Sequence, residues 1–121
     1  MIRIYEYANC STCRDALKFL ASNRYAVERI DIFSQPPSKA ELKKMLEFQN
    51  GNIKALFNTT GKVYQEMNLK EKVGKLIPDE AIDLLSKNGK LIKRPFVLTD
   101  DAGFVGFKKD AWKTVFGTGS R

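Results

Sequence analysis

Apolar and polar side chains alternate over residues 2–7, IRIYEY, and their β-branched and aromatic types predict a strand. The period changes after Ala8-Asn9. From about Ser11, the residues Ala16, Leu17, Phe19 and Leu20 recur at helical spacing, and Asn23 is a natural stop. VERIDIF, residues 27–33, alternates again, with Val27, Ile30 and Ile32 as candidates for the core. Strand, helix and strand with short links predict a parallel βαβ unit with a right-handed crossover. Pro36-Pro37 breaks the pattern, and Ser38 with Glu41 has capping-box spacing ahead of Leu42, Met45, Leu46 and Phe48; Gly51 ends that helix. Short helical pieces follow: IKALF, VYQEMNL, EKVGKL and PDEAIDLLSK, the last opened by Pro78 and closed by Asn88-Gly89. Strand character returns at Leu91-Ile92. PFVLTD and FVGF then predict a hairpin around Asp101-Ala102-Gly103. Lys108 to Phe116 reads as a last helix with Ala111, Trp112, Val115 and Phe116 facing inward, before a frayed GTGSR tail.

Length and composition narrow this picture. The 121 residues fit one domain, 1–121, and 43% hydrophobic with 29% charged residues excludes disorder or a coiled coil as the main state. Histidine is absent, which removes Ser-His-Asp and Cys-His catalysis and histidine-ligated metal sites. The two cysteines, Cys10 and Cys13, supply only half of a tetrahedral zinc shell, so no metal site is expected. MIRIYEY carries charges where a signal peptide would be apolar, and no run approaches the ~18 apolar residues of a membrane span. A cytoplasmic protein without a membrane partner is the expectation. The net charge of +7 arises from 21 basic and 14 acidic side chains, but no run of five basic residues occurs. A solvated lysine surface, rather than a direct nucleic-acid interface, follows. No apolar stripe is left over once the core is assigned, which points to a monomer.

In N-C-S-T-C-R, Cys10 falls where the first strand ends and Cys13 in the first helical turn. Unpaired N–H groups at a helix N-terminus carry partial positive charge and favour a thiolate. Arg14 pushes the same way, so a nucleophile can exist at neutral pH without a histidine base. Cys13 is placed to resolve a mixed disulfide on Cys10. Asn9, Ser11 and Thr12 give the pair polar company and are expected to shape its groove. The element order β-α-β-α, helices, β-β-α is that of a thioredoxin-like α/β fold with a four-stranded mixed sheet. Its core would be 1–50 and 90–116, with a helical insertion at about 51–89. In such folds a cis proline opens the penultimate strand beside the thiols. Pro95 has that place, and Arg94 would bring a guanidinium to the thiolate or to a bound anion.

Four segments, Y-x-x-x-N-C-S-T-C-R-D-A-L, A-L-F-N-T-T-G-K-V-Y (55–64), L-I-K-R-P-F-V (91–97) and V-G-F (105–107), resemble the arsenate reductase (ArsC)/Spx family over nearly the whole chain. The resemblance implies that Cys10 is the nucleophile and that glutathione, glutaredoxin or thioredoxin is the reductant, with no bound cofactor. Arsenate reductases of this type hold the oxyanion with three arginines. Arg94 matches one, whereas the others fall near Asn58 and Phe104, which are not arginine. Cys13 matches instead the C-x-x-C switch of Spx regulators. Those bind the RNA polymerase α subunit partly through a glycine near the place of Gly51. Three functions stay open at this point. The first is a thiol-disulfide oxidoreductase acting on a thiol or disulfide substrate or an oxyanion, with Cys10 as nucleophile and Cys13 as resolving thiol. The second is an Spx-like redox-sensing regulator, and the third a glutathione- and glutaredoxin-dependent arsenate reductase.

Overall fold

In the computed structural model, which describes residues 2–116, strands β1 (Ile2–Glu6), β2 (Val27–Asp31), β3 (Phe96–Leu98) and β4 (Gly103–Val105) form one sheet ordered β2-β1-β3-β4. β1 is parallel to β2 and antiparallel to β3, which is antiparallel to β4. The result is a mixed four-stranded sheet in a thioredoxin-like α/β arrangement. The central position of β1 explains its burial on both faces. Ile2 and Ile4 meet Ala16, Phe19 and Leu20 of α1 (Ser11–Ser22) and Trp112 and Phe116 of α6 (Lys109–Phe116). Tyr5 faces the opposite layer, with Leu42 and Met45 of α2 (Lys39–Phe48) and Ala81, Ile82 and Leu85 of α5 (Pro78–Lys87).

Local chemistry sets the helix ends. Asn23 stops α1 as its amide nitrogen donates to the Phe19 carbonyl at 2.8 Å, and Arg24 then turns the chain with φ 63°. Ser38 closes the expected capping box: its hydroxyl accepts from the Glu41 N–H at 3.1 Å, and its own N–H donates to the Glu41 carboxylate at 3.0 Å. Gly89 sits against the backbone after β2, where a β-carbon would lie 2.0 Å from the Ile32 carbonyl oxygen, so only glycine fits.

Several elements differ from the pattern reading. IKALF is a 3₁₀ turn, Ile53–Leu56, and the following segments form α3 (Lys62–Glu66), α4 (Leu69–Lys72) and a 3₁₀ turn, Val73–Lys75. Leu91 ends another 3₁₀ turn, Gly89–Leu91, and Ile92 contributes a single bridge to Phe57 rather than a strand. Val27 and Ile30 are only half-buried, because β2 is an edge strand; Ile32, just beyond it, is fully buried. Gly103 opens β4, and the turn is closed by the Thr99 hydroxyl, which accepts from the N–H groups of Asp101 and Ala102. Ala111 and Val115 face solvent, since the eight-residue α6 buries only its Trp112–Phe116 stripe, against Phe19, Phe104 and Phe107. The GTGSR tail, 117–121, lies outside the described residues.

Candidate thiol site

β1 delivers the chain through Tyr7-Ala8-Asn9 directly into α1, and Cys10 is the residue before its first turn, with φ −94° and ψ 116°. Its N–H donates to the Tyr7 carbonyl at 3.0 Å, and its carbonyl accepts from the Arg14 N–H at 3.1 Å, so the backbone around the sulfur is fixed. Both cysteines are unbridged; Cys10 is partly exposed and Cys13 fully buried.

The two thiols have opposite electrostatics. Burial disfavours a Cys10 thiolate. It is outweighed by the backbone N–H and thiol of Cys13, the Arg94 charge and the Thr12 N–H, which together hold the Cys10 thiol below its ordinary value. Burial pushes the Cys13 thiol up to about 12, and its neighbour Cys10 adds to this against the Tyr7 N–H and Arg94. The proton therefore resides on Cys13, whose thiol can donate toward the Cys10 sulfur.

Arg94 reaches this place on an aromatic platform. Its guanidinium carbon lies 5.1 Å from the centroid of Phe33 and 5.9 Å from that of Tyr7, and these two rings are 4.3 Å apart. The Arg94–Pro95 peptide is cis, as expected of this fold. Pro95 is buried, and its carbonyl accepts from the Gly106 N–H at 2.9 Å, which ties the start of β3 to the segment after β4.

Cys10 opens on a cavity of about 390 Å³. Thr12, Asn58, Thr60 and Arg94 line it, and Lys93 and Lys108 bring two more cations without any Asp or Glu. Of the groups the sequence singled out, Cys10, Thr12 and Arg94 are thus brought together. Arg14 is turned elsewhere: its guanidinium donates to the Ala8 carbonyl at 3.0 Å, bracing the loop rather than lining the cavity. Asn9 donates to the Tyr7 hydroxyl at 3.4 Å, and Ser11 is exposed on the first turn; neither lines the cavity. Phe104, where the resemblance suggested an anion-binding arginine, packs on Trp112 and Phe116 instead. The cation that does face Cys10 from this segment is Lys108, aimed by the turn at Gly106, whose φ is 76°. Asn58 does stand in the cavity, so there the missing charge is a real departure. Among the described residues, no group of three or more His, Cys, Asp or Glu side chains is placed to hold a metal ion, and no helix is long and apolar enough to cross a membrane.

The chain is similar to several known proteins. A family profile described as "ArsC family" matches residues 5–115. The protein YusI of Bacillus subtilis (strain 168) is 42% identical over 112 residues, covering 93% of this chain and 95% of that protein. A global transcriptional regulator Spx of Streptococcus agalactiae is 29% identical over 110 residues, covering 91% of this chain and 79% of the regulator. Among solved structures, an ArsC family related protein from Bacteroides fragilis superimposes with a TM-score of 0.89 at 37% identity, over 94% of this chain and 96% of its own. A possible arsenate reductase from Streptococcus mutans UA159 gives 0.84 at 36% identity, over 90% and 92%.

Proposed function

The chain belongs to the ArsC family, and from that premise we propose that it is a thiol-disulfide oxidoreductase with Cys10 as nucleophile and Cys13 as resolving thiol. The observation that carries this reading is the split between a Cys10 thiol held low at the mouth of a cationic cavity and a Cys13 thiol held high beneath it. The Cys10 thiolate attacks one sulfur of a partner disulfide. Its S–S bond breaks, and the departing sulfur leaves as a thiolate. Cys13 then gives up its proton and attacks the Cys10 sulfur, forming the Cys10–Cys13 disulfide and expelling the second partner thiol. The two electrons gained by the partner come from the two cysteines. An external thiol such as glutathione, glutaredoxin or thioredoxin restores them. Arg94 stabilises the Cys10 thiolate before attack and again as it departs during reduction. Thr12 and the buried Pro95 shape the groove. The proposed site of action is the cytoplasm, where such a pair stays reduced.

One sample assayed in parallel for mixed-disulfide reduction and for arsenite release from arsenate tests this reading. Disulfide turnover that disappears in Cys10→Ser, with a trapped adduct in Cys13→Ser, is expected. Equal rates for wild type and Cys10→Ser would exclude the mechanism, and arsenite release dependent on Cys10 would assign an arsenate reductase instead.

A second reading is favoured by the Spx relatives and by Gly51, which is exposed after α2 with φ 78° and open space around it. Here oxidation of Cys10 and Cys13 would switch a contact with the RNA polymerase α subunit. A pull-down with its C-terminal domain decides the matter: no binding by either the reduced or the oxidised protein removes this role.

A further inference from the structure

Besides the thiol cavity, the molecule carries a groove of about 580 Å³ between α1 and α6. Phe19 and Phe107 form its apolar part, and Lys18, Lys109 and Lys113 stand around it with Asp15 as the sole acidic group. Ser22 and Asn23 complete the lining. Phe107 borders both this groove and the cavity that holds Cys10, so one ring joins the two. Lys108, on the thiol side of that ring, continues the run of positive charge. Phe19, Phe107 and Trp112 form a packed aromatic cluster, with Phe19 and Phe107 5.8 Å apart and Phe107 and Trp112 4.8 Å apart. The groove is therefore built on the core rather than on mobile side chains alone.

We infer that the disulfide partner is an acidic protein segment that lies along this groove, seats an apolar side chain at Phe19 and Phe107, and so presents its sulfur to Cys10. The inference rests on the thiol-exchange reading above. Charge complementarity selects the occupant: three lysines against one aspartate attract carboxylates, and a small oxyanion would use the thiol cavity and leave the groove empty. The balanced step is a thiol exchange. The Cys10 thiolate attacks the partner cysteine sulfur, a Cys10–partner disulfide forms, and the partner's former disulfide mate departs as a thiolate.

The test uses cysteine peptides carrying thionitrobenzoate as leaving group, whose release is followed by absorbance, with the full chain bearing Cys13→Ser. Two peptides share one phenylalanine and differ only in having glutamates or lysines around it. Mercaptoethanol thionitrobenzoate disulfide reports the intrinsic reactivity of Cys10. The glutamate peptide is expected to react about tenfold faster than the lysine peptide at low salt, an advantage that fades as salt is raised. Lys109→Glu with Lys113→Glu should abolish that preference and leave the mercaptoethanol rate unchanged. Lys43→Glu with Lys44→Glu, an equal charge change on α2 across the sheet, should retain it. Equal rates for the two peptides would overturn the inference. So would loss of the preference in the α2 variant as large as in the groove variant, because net charge alone would then be responsible. Absence of reaction with the mercaptoethanol probe would instead refute the thiol-exchange reading beneath it.

Discussion

Two small cavities in this molecule treat charge in opposite ways. One, bordered by residues of β1, β2 and α2, gathers Arg3 and Lys44 with Glu28, Glu41 and Asp100. Arg3 pairs with Glu41 at 2.8 Å and with Glu28 at 3.3 Å, and the Tyr5 hydroxyl donates to Glu41 at 2.7 Å. There Glu41 is held below the ordinary carboxylate range: burial opposes this, and the Ser38 N–H, Tyr5 and Arg3 overcome it. The other cavity, beyond the opposite end of β1, gathers Lys93, Arg94 and Lys108 with no carboxylate at all. Its one anionic candidate is the Cys10 sulfur. In the first cavity Arg3 is paired within the fold, whereas in the second the lining cations face no carboxylate, only the Cys10 sulfur.

The contrast is broken most strongly at Arg94. Arg94→Gln removes a cation that favours the Cys10 thiolate, so the Cys10 pKa should rise and alkylation near pH 7 should slow several-fold. Mass-spectrometric labelling of Cys10 in both proteins measures it. The cationic role would be rejected if the two labelling profiles coincide.

A smaller effect is expected at the platform beneath that guanidinium. Phe33→Leu keeps the charge but removes the nearer of its two rings, and the loosened Arg94 should slow Cys10 labelling about two- to threefold, a difference of under 1 kcal/mol. Phe33→Tyr should restore the rate. A loss that Tyr does not restore would point to general packing damage instead.

The smallest effect belongs to the paired end. Arg3 is nearly half exposed, so Arg3→Gln should cost no more than about 1 kcal/mol in chemical denaturation. Cys10 labelling should be unaffected. Any change in thiol reactivity there would show that the two cavities are electrically linked and that the comparison is false.

The legibility of these two regions also differs. β1, α1 and the Cys10–Cys13 pair are legible along the chain, because period and spacing are local signals, whereas the cis peptide at Pro95 follows only from likeness to the thioredoxin-like fold. The walls of the thiol cavity are not legible. Thr60 and Lys108 reach Cys10 only after the helices between α2 and β3 and the hairpin have folded against the sheet. Single polar residues in loops carry no period. Gly106, left-handed just before Phe107 and Lys108, was the nearest available cue. Arg14 misled for the converse reason: adjacency to Cys13 in sequence suggested a role that its bond to the Ala8 carbonyl does not serve. The helical pattern places Ala111 and Val115 inward beside Trp112 and Phe116, although only the Trp112–Phe116 stripe of α6 meets the core.

The account stands on the separation of the two thiols, and iodoacetamide labelling against pH, resolved for each cysteine by mass spectrometry, addresses it directly. The labelling rate of Cys10 should rise with pH and level off below the pH of about 8.5 at which a free thiol titrates, while Cys13 stays unlabelled to well above it. Cys10 labelling that follows the ordinary thiol value, or equal labelling of both cysteines, would contradict the account.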